Sequence, residues 1–306
     1  MRLLSAFALA PTLLGLNGCL VIDAGFARFN RDFHFSYPLS QGGHLSVDGF
    51  NGSIEVTPWN QATVDISGTK YAPSQSEADA MTVGIDHTAT AVSVHVARQY
   101  DWHGNRGVRF EIKVPRGTVL DRLVTSNANI HALDGMGPSR FKSSNGNVEV
   151  ENFHGALDIE TSNGRINLDG VDGDVTARSS NGRVRADAIR GSIDAETSNS
   201  SIHAALLSLD REVRAETRNG AIDLTLPGAL TQNVRAKTSN SSVTIRLGEP
   251  ANARISARTS NSSVTSEFDA RVHGDLRRNE MEGTIGNGGP LLELSSSNGA
   301  IKITHQ

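Results

Sequence analysis

The residues that could do chemistry in this chain are few and scattered. Asp169, Asp172 and Asp174 form a short acidic run, Asp-Gly-Val-Asp-Gly-Asp, of the kind that can ligate calcium. The run matches neither the EF-hand loop nor the glycine-rich nonapeptide repeat, and a turn between strands needs no metal. The 10 histidines show no HExxH and no paired spacing, and neither GxSxG nor a phosphate-cradling loop occurs. Asp101-Trp102-His103 sets an acid beside an imidazole with no nucleophile near it in sequence. Catalysis on a β scaffold needs acids and bases converging at hydrogen-bond distance, and this pattern offers no such set. The expectation is therefore a non-enzymatic protein with no cofactor and no metal. A β-helical carbohydrate-active enzyme is the remote alternative.

The single cysteine, Cys19, is better placed for chemistry. It follows Met1-Arg2, a mainly apolar run over residues 3–16, and Asn17-Gly18. A short basic start, an apolar stretch and a small residue before the cut mark an export signal. The stretch is shorter than the ~20 apolar residues that span a bilayer. Leu16-Asn17-Gly18-Cys19 resembles the lipobox of bacterial lipoproteins. That resemblance implies cleavage before Cys19, acylation of its thiol and amine, and a membrane as the first partner. Leu20 stands where an aspartate would signal retention at the inner membrane, so the expected location is the cell envelope, at the outer membrane.

Bulk composition narrows the rest. Of 306 residues, 30 are glycine, aromatics make up 5% and hydrophobics 37%, which suits a thin, turn-rich β structure. A net charge of −4 with interspersed signs leaves no basic stripe for a phosphate backbone, so nucleic acid is not an expected partner.

The elements that must position these residues are set by a repeat. A motif close to Ser/Thr-Asn-Gly/Ser, departed from where Ala128 follows Asn127 and Arg218 precedes Asn219, has Ser or Thr also two places before the asparagine. It recurs with asparagine at Asn127, Asn145, Asn163, Asn181 and Asn199, each 18 residues from the last. It continues at Asn219, Asn240 and Asn261 at spacings of 20, 21 and 21, and ends at Asn298. Glu282-Gly283 stands where another copy is due, dividing the last interval into 21 and 16 residues. The fold class expected is all-β: a β-solenoid of about ten coils of 16–21 residues, parallel-β-helix-like.

Each coil carries two short strands. Three residues after the asparagine stands Ile130, Val148, Ile166, Val184, Ile202, Ile222, Val243, Val264 or Ile301, β-branched every time. Four residues before it stands Leu123, Phe141, Ile159, Ala177, Ala195, Ala215, Ala236, Ala257 or Leu294. Apolar residues alternate with polar ones at period two on both sides of the motif, as half-buried strands require. A lone two-strand unit cannot bury its inner face, whereas stacked units share one core. Equivalent asparagines then lie ~4.8 Å apart and can pass amide hydrogen bonds from coil to coil, a structural ladder and not a binding row. Lys142, Glu160, Arg178, Glu196, Glu216, Lys237 and Arg258, three residues before the asparagines, mostly alternate in sign, which favours in-register stacking.

The expected organisation is a signal peptide over 1–18, a tether over 19–34, a β-rich N-terminal cap over 35–120 and the solenoid over 121–306. The cap has an early copy of the motif at Asn51-Gly52-Ser53-Ile54 and a helical turn near Ser76. It is expected to cover the first coil, because bare solenoid ends invite edge-to-edge association.

Taken together, Gly52-Ser53-Ile54-Glu55-Val56 with Trp59, the Phe110–Gly117 strand and turn, the repeated Ser/Thr-Asn-Gly, and the ending from Gly283 to Ile303 resemble the bacterial DUF4097 family of β-strand-repeat proteins, known also as candidate adhesins. The resemblance runs from about residue 35 to the C-terminus. It implies an envelope β-solenoid linked to adhesion or to envelope-stress sensing, and supplies no catalytic residues. Two functions are thus expected: an interaction or adhesion module meeting a protein or glycan, or a regulatory lipoprotein sensing peptides or wall damage. The second turn of the coil lengthens over 206–212, 225–233, 246–254 and 267–275, always on one edge, which is where a partner is expected to bind.

Overall fold

The computed structural model describes residues 29–97, 105–272 and 277–306. Cys19 and the Asp101-Trp102-His103 stretch lie outside the described residues. Among the described residues no helix is long and apolar enough to cross a membrane.

The chain forms two facing sheets of 14 and 13 strands, and each repeat contributes one strand to each sheet. The strand before the asparagine enters the leading sheet, as Leu157–Thr161 does, and the strand after it enters the trailing sheet, as Ile166–Asp172 does. Neighbouring coils pair parallel and in register: Leu157 lies opposite Val175, and Ile166 opposite Val184. The alternation seen in sequence becomes an inside and an outside. Phe141, Ile159, Val148, Ile166, Val184 and Ile202 are fully buried between the sheets. Phe141 and Phe153 meet edge to face at 6.0 Å within that core. The chain is a β-solenoid.

Order in space follows order in sequence only from the Asn127 coil to the Asn240 coil. Beyond Asn240 the next coil is that of Asn298, built from Leu291–Ser296 and Ile301–His305. The Asn261 coil, built from Ala253–Thr259 and Val264–Ser266, stacks outside it. The last coil of the chain is therefore wedged one place in from the end. The coil expected at Glu282-Gly283 does not form. Glu280–Ile285 instead runs antiparallel to Ala253–Thr259, and Ala270–Val272 runs antiparallel to it in turn. The physical reason is visible in residues: Glu280 stands where the motif needs a Ser or Thr, so that segment lacks the hydroxyl that ties one coil to the next.

The N-terminal end has the same plan. His44–Asp48 and Ile54–Trp59 make the Asn51 coil, which pairs parallel with the Asn127 coil on one side. On its other side lies a coil formed later in the chain, from Ala91–Val96 and Gly107–Pro115. Strands from the 35–120 region thus continue both sheets. Antiparallel strands close this end: Thr63–Ala72 and then Phe29–Pro38 on the trailing sheet, Val83–His87 on the leading sheet. The helix Gln75–Ala80 begins at Ser74, whose hydroxyl accepts from the Glu77 N–H, and it buries Ala78.

Candidate interaction surfaces

The first turn of each coil is held by two columns of hydrogen bonds. Outermost is an amide chain in which each asparagine Nδ2 donates to the Oδ1 of the preceding coil in space. It runs from Asn261 through Asn298, Asn240, Asn219, Asn199, Asn181, Asn163, Asn145 and Asn127 to Asn51, at 2.5–2.8 Å throughout. Asn51 in turn donates to the Arg106 carbonyl at 3.1 Å. Asn51 was legible only as an isolated motif copy, yet it belongs to the chain.

Just inside runs a buried hydroxyl column. Ser143, Thr161, Ser179 and Thr197 each donate to a carbonyl three coil positions on in the preceding coil, those of Ala128, Gly146, Gly164 and Gly182, at 2.9–3.2 Å. The same hydroxyl of Ser143, Thr161 and Ser179 accepts the N–H of the glycine after its own asparagine. Where a glycine follows the asparagine it permits close approach: a Cβ on Gly182 would lie 1.6 Å from the Gly164 carbonyl oxygen. This explains the motif residue by residue. The hydroxyl ties the coils, the amide repeats the tie outside, and the glycine lets the backbones touch. The asparagine amides bond one another, and their outer faces are exposed to solvent.

The outward face of the leading sheet carries the charged column. Lys142 reaches Glu160 at 2.9 Å, Arg140 lies 3.7 Å from Asp158, and Arg178 lies 3.0 Å from Asp194. The alternation fails beyond Lys237, which lies opposite Ser295 with Arg258 on its far side, and also at the step where Glu196 lies opposite Glu216. There Arg214 and Arg235 turn to Glu216, at 3.0 and 3.8 Å. A shallow hollow of about 270 Å³ opens at this step, lined by both glutamates with Arg218 and Lys237. The Lys142 ammonium, donating to Glu160, holds that carboxyl below the usual carboxylate range.

The acidic run of the sequence does not converge. Asp169 lies opposite Glu151 and Asp187 on the trailing sheet, Asp172 is 3.9 Å from His154, and Asp174 takes a hydrogen bond from Ser192 and pairs with Arg211. Among the described residues no group of His, Cys, Asp or Glu is arranged to hold a metal ion.

The lengthened second turns are different in kind from the short ones. In the early coils this turn is tight, with Gly155, Gly173 and Gly191 at positive φ. In the later coils the turns interlock. Ala229 bridges Asn252, the Asn252 side chain accepts the Asn287 N–H at 2.8 Å, and the Asn233 side chain accepts the Leu291 N–H at 2.9 Å. Leu209, Leu230 and Ala251 are buried beneath, while Leu207 is 51% exposed. Met136, 37% exposed, lies on the same edge nearer the N-terminal end. The result is a braced ridge with an apolar side chain on its outer surface. Its bracing could not be found from sequence, because the interlocking residues are far apart in the chain.

The chain belongs to the Toastrack DUF4097 family, whose model matches residues 44–280. Among solved structures it is similar to a candidate adhesin from Bacteroides fragilis NCTC 9343, with 14% identity, a TM-score of 0.41, and 89% of this chain and 97% of the other covered. It is also similar to a candidate cell adhesion protein from Clostridium sporogenes ATCC 15579, with 10% identity, a TM-score of 0.21, and 90% and 100% covered. Likenesses at that level say nothing about function. No curated protein matches the chain.

Proposed function

We propose that this chain is a non-enzymatic lipoprotein of the cell envelope, anchored through Cys19, that acts as an adhesion or interaction module. Its solenoid presents the braced ridge to a protein or glycan partner. The observation that carries this reading is the ridge itself. Loops that merely tolerate insertion need not brace one another, whereas these bond across coils and bury Leu209, Leu230 and Ala251 while leaving Leu207 outside. The outer membrane is the favoured site, because Leu20 follows the anchoring cysteine.

The test uses cells carrying the full chain. Labelled palmitate should enter the wild type, and Cys19→Ala should lose both the label and the membrane fraction. Retention of cells on protein- or glycan-coated surfaces should fall at least about tenfold with Leu207→Glu, the size expected for an interfacial anchor of about 1.4 kcal/mol. Retention equal in wild-type and deletion cells on every surface would end the adhesion reading.

A further inference from the structure

Most exposed edges of this molecule are blunted. At the C-terminal end the edge strands are Val264–Ser266 and Ala270–Val272, three residues each. The N-terminal end of the leading sheet finishes on the five residues Val83–His87. The trailing sheet alone finishes on a long strand, the ten residues Phe29–Pro38, which pair with Thr63–Ala72 and with no other described strand.

The direction of its free backbone groups follows from the pairing. The strand lies antiparallel to Thr63–Ala72 with Phe35 opposite Ile66, and the same register continues into Leu39, whose N–H donates to the Ala62 carbonyl at 3.1 Å. In an antiparallel ladder alternate residues turn both N–H and C=O to the same neighbour. The odd-numbered residues therefore bond inward, and Asn30, Asp32, His34 and Ser36 present theirs to the free edge. All four are exposed. Pro38 has no N–H to offer and closes the row.

We infer that this edge pairs with the same edge of a second copy of the chain, antiparallel about a dyad at Phe33. Self-pairing has only a few registers that match free groups to free groups, and the side chains separate them. Centring on Phe33 sets Asp32 opposite His34, Asn30 opposite Ser36, Phe29 opposite Tyr37, and Phe33 opposite itself. Centring on Asp32 would place two carboxylates face to face, and centring on His34 would set Asn30 against Pro38 and lose a hydrogen bond. Like charges directly opposite are destabilising, whereas opposite charges and aromatic pairs stabilise. The Phe33 register also covers Phe29, which is 43% exposed in the single chain. Its partner Tyr37 is already ordered by stacking on His87 at 4.0 Å. Asp32 and His34 are held in place by Thr69 and Asp65, each at 2.7 Å, so the side chains that choose the register are preset. Two solenoids joined this way share one continuous trailing sheet.

Sedimentation of the purified full chain tests the pairing. The wild type should show a reversible monomer–dimer equilibrium. Ser36→Pro removes an edge-facing N–H, twice per dimer by symmetry, without touching the inward ladder, and should raise the dissociation constant about tenfold or more. Ser36→Ala should leave it unchanged. Asn30→Pro removes the partner N–H of the same ring and replaces Ser36→Pro if that variant does not reach the wild-type melting temperature. Spin labels at residue 30 fix the register: the backbone separation is ~20 Å for the Phe33 dyad, against ~14 or ~27 Å for the two slipped ones. A chain that stays monomeric, a dimer indifferent to both proline variants, or a separation matching a slipped register would overturn the proposal.

Discussion

The middle of this molecule and its two ends solve opposite problems. From Asn127 to Asn199 each coil is made of adjacent residues, and the amide and hydroxyl ties reach back one coil of sequence at a time. A stack of this kind has no built-in stop, because the top of every coil is a template for another. At both ends the chain abandons sequential order. The Asn51 coil sits inside a coil made of later residues, and the Asn298 coil sits inside one made of earlier residues. The outermost coil is thereby held by a neighbour far away in sequence, as in the Asn261 to Asn298 bond across 37 residues. Antiparallel strands then finish both sheets at the N-terminal end and the leading sheet at the C-terminal end, while the trailing sheet stops there on the three-residue parallel strand Val264–Ser266. Periodicity builds length in the middle, and its violation sets the length at the ends.

The contrast can be broken most forcefully by removing one coil from each region. Excising residues 164–181 joins Asn163 to Gly182 and deletes one complete repeat. The coils left in contact have the same spacing and register, so the shortened chain should fold cooperatively, with its denaturant m-value reduced in proportion to the lost surface. Deleting residues 291–306 also removes one coil, but it takes Leu292, Leu294, Ile301 and Ile303 out from between two others. Those four fully buried side chains are worth about 6–12 kcal/mol as an upper bound, comparable with the whole stability of a domain. Hydrogen exchange should show lost protection over 253–285 and in Val234–Lys237 and Val243–Leu247, with the Asn145 to Asn199 coils unaffected. Equal damage from the two deletions would erase the distinction.

The same distinction governs what could be read from the residues alone. The solenoid, its apolar columns, the amide chain and the charged column follow from an 18-residue period, because a neighbour 18 residues away is both periodic in sequence and adjacent in space. The order at the C-terminal end does not follow. Ser296-Ser297-Asn298-Gly299 carries the same groups as Thr238-Ser239-Asn240-Ser241 and Thr259-Ser260-Asn261-Ser262, and nothing in the motif says which of them it touches. Asn51 is a related case: Gly49 replaces the hydroxyl residue two places before it, so only half of the tie is written there. On its other side the usual tie is present, with Thr125 of the Asn127 coil donating to the Gly52 carbonyl at 2.9 Å. On the ridge, lengthening of the turns was visible as insertions. The bonds that brace it, between Asn233 and Leu291 or Asn252 and Asn287, join residues whose separation carries no period.

A smaller effect sharpens the comparison at the level of one side chain. Asn181 donates to Asn163 and accepts from Asn199, whereas Asn261, at the end of the amide chain, donates to Asn298 and accepts from no described asparagine. Asn181→Ala should therefore cost about 1–3 kcal/mol and Asn261→Ala about 0.5–1.5 kcal/mol, read from urea midpoints at constant m. Equal losses would show that the amides act singly and not as a chain.

The smallest expected effect concerns charge in the middle coils. Hydrogen bonding from Lys142, with burial opposing and the Lys142 and Arg140 charges adding, lowers the Glu160 carboxyl from its ordinary value. A carboxylate depressed on folding stabilises the fold above its unfolded pKa of about 4.3, and the contribution is lost as pH falls through the lower folded value. Because both side chains of the pair are 43% exposed, solvent screening limits its worth to less than about 1 kcal/mol. The difference in unfolding free energy between the wild type and Glu160→Gln should be constant from neutral pH down to about 5, then shrink below about 4, and it should shrink at any pH in high salt. A difference that grew on acidification would mean that the Glu160 column opposes in-register stacking in the middle of the solenoid, and the register there would then rest on the hydroxyl and amide ties alone.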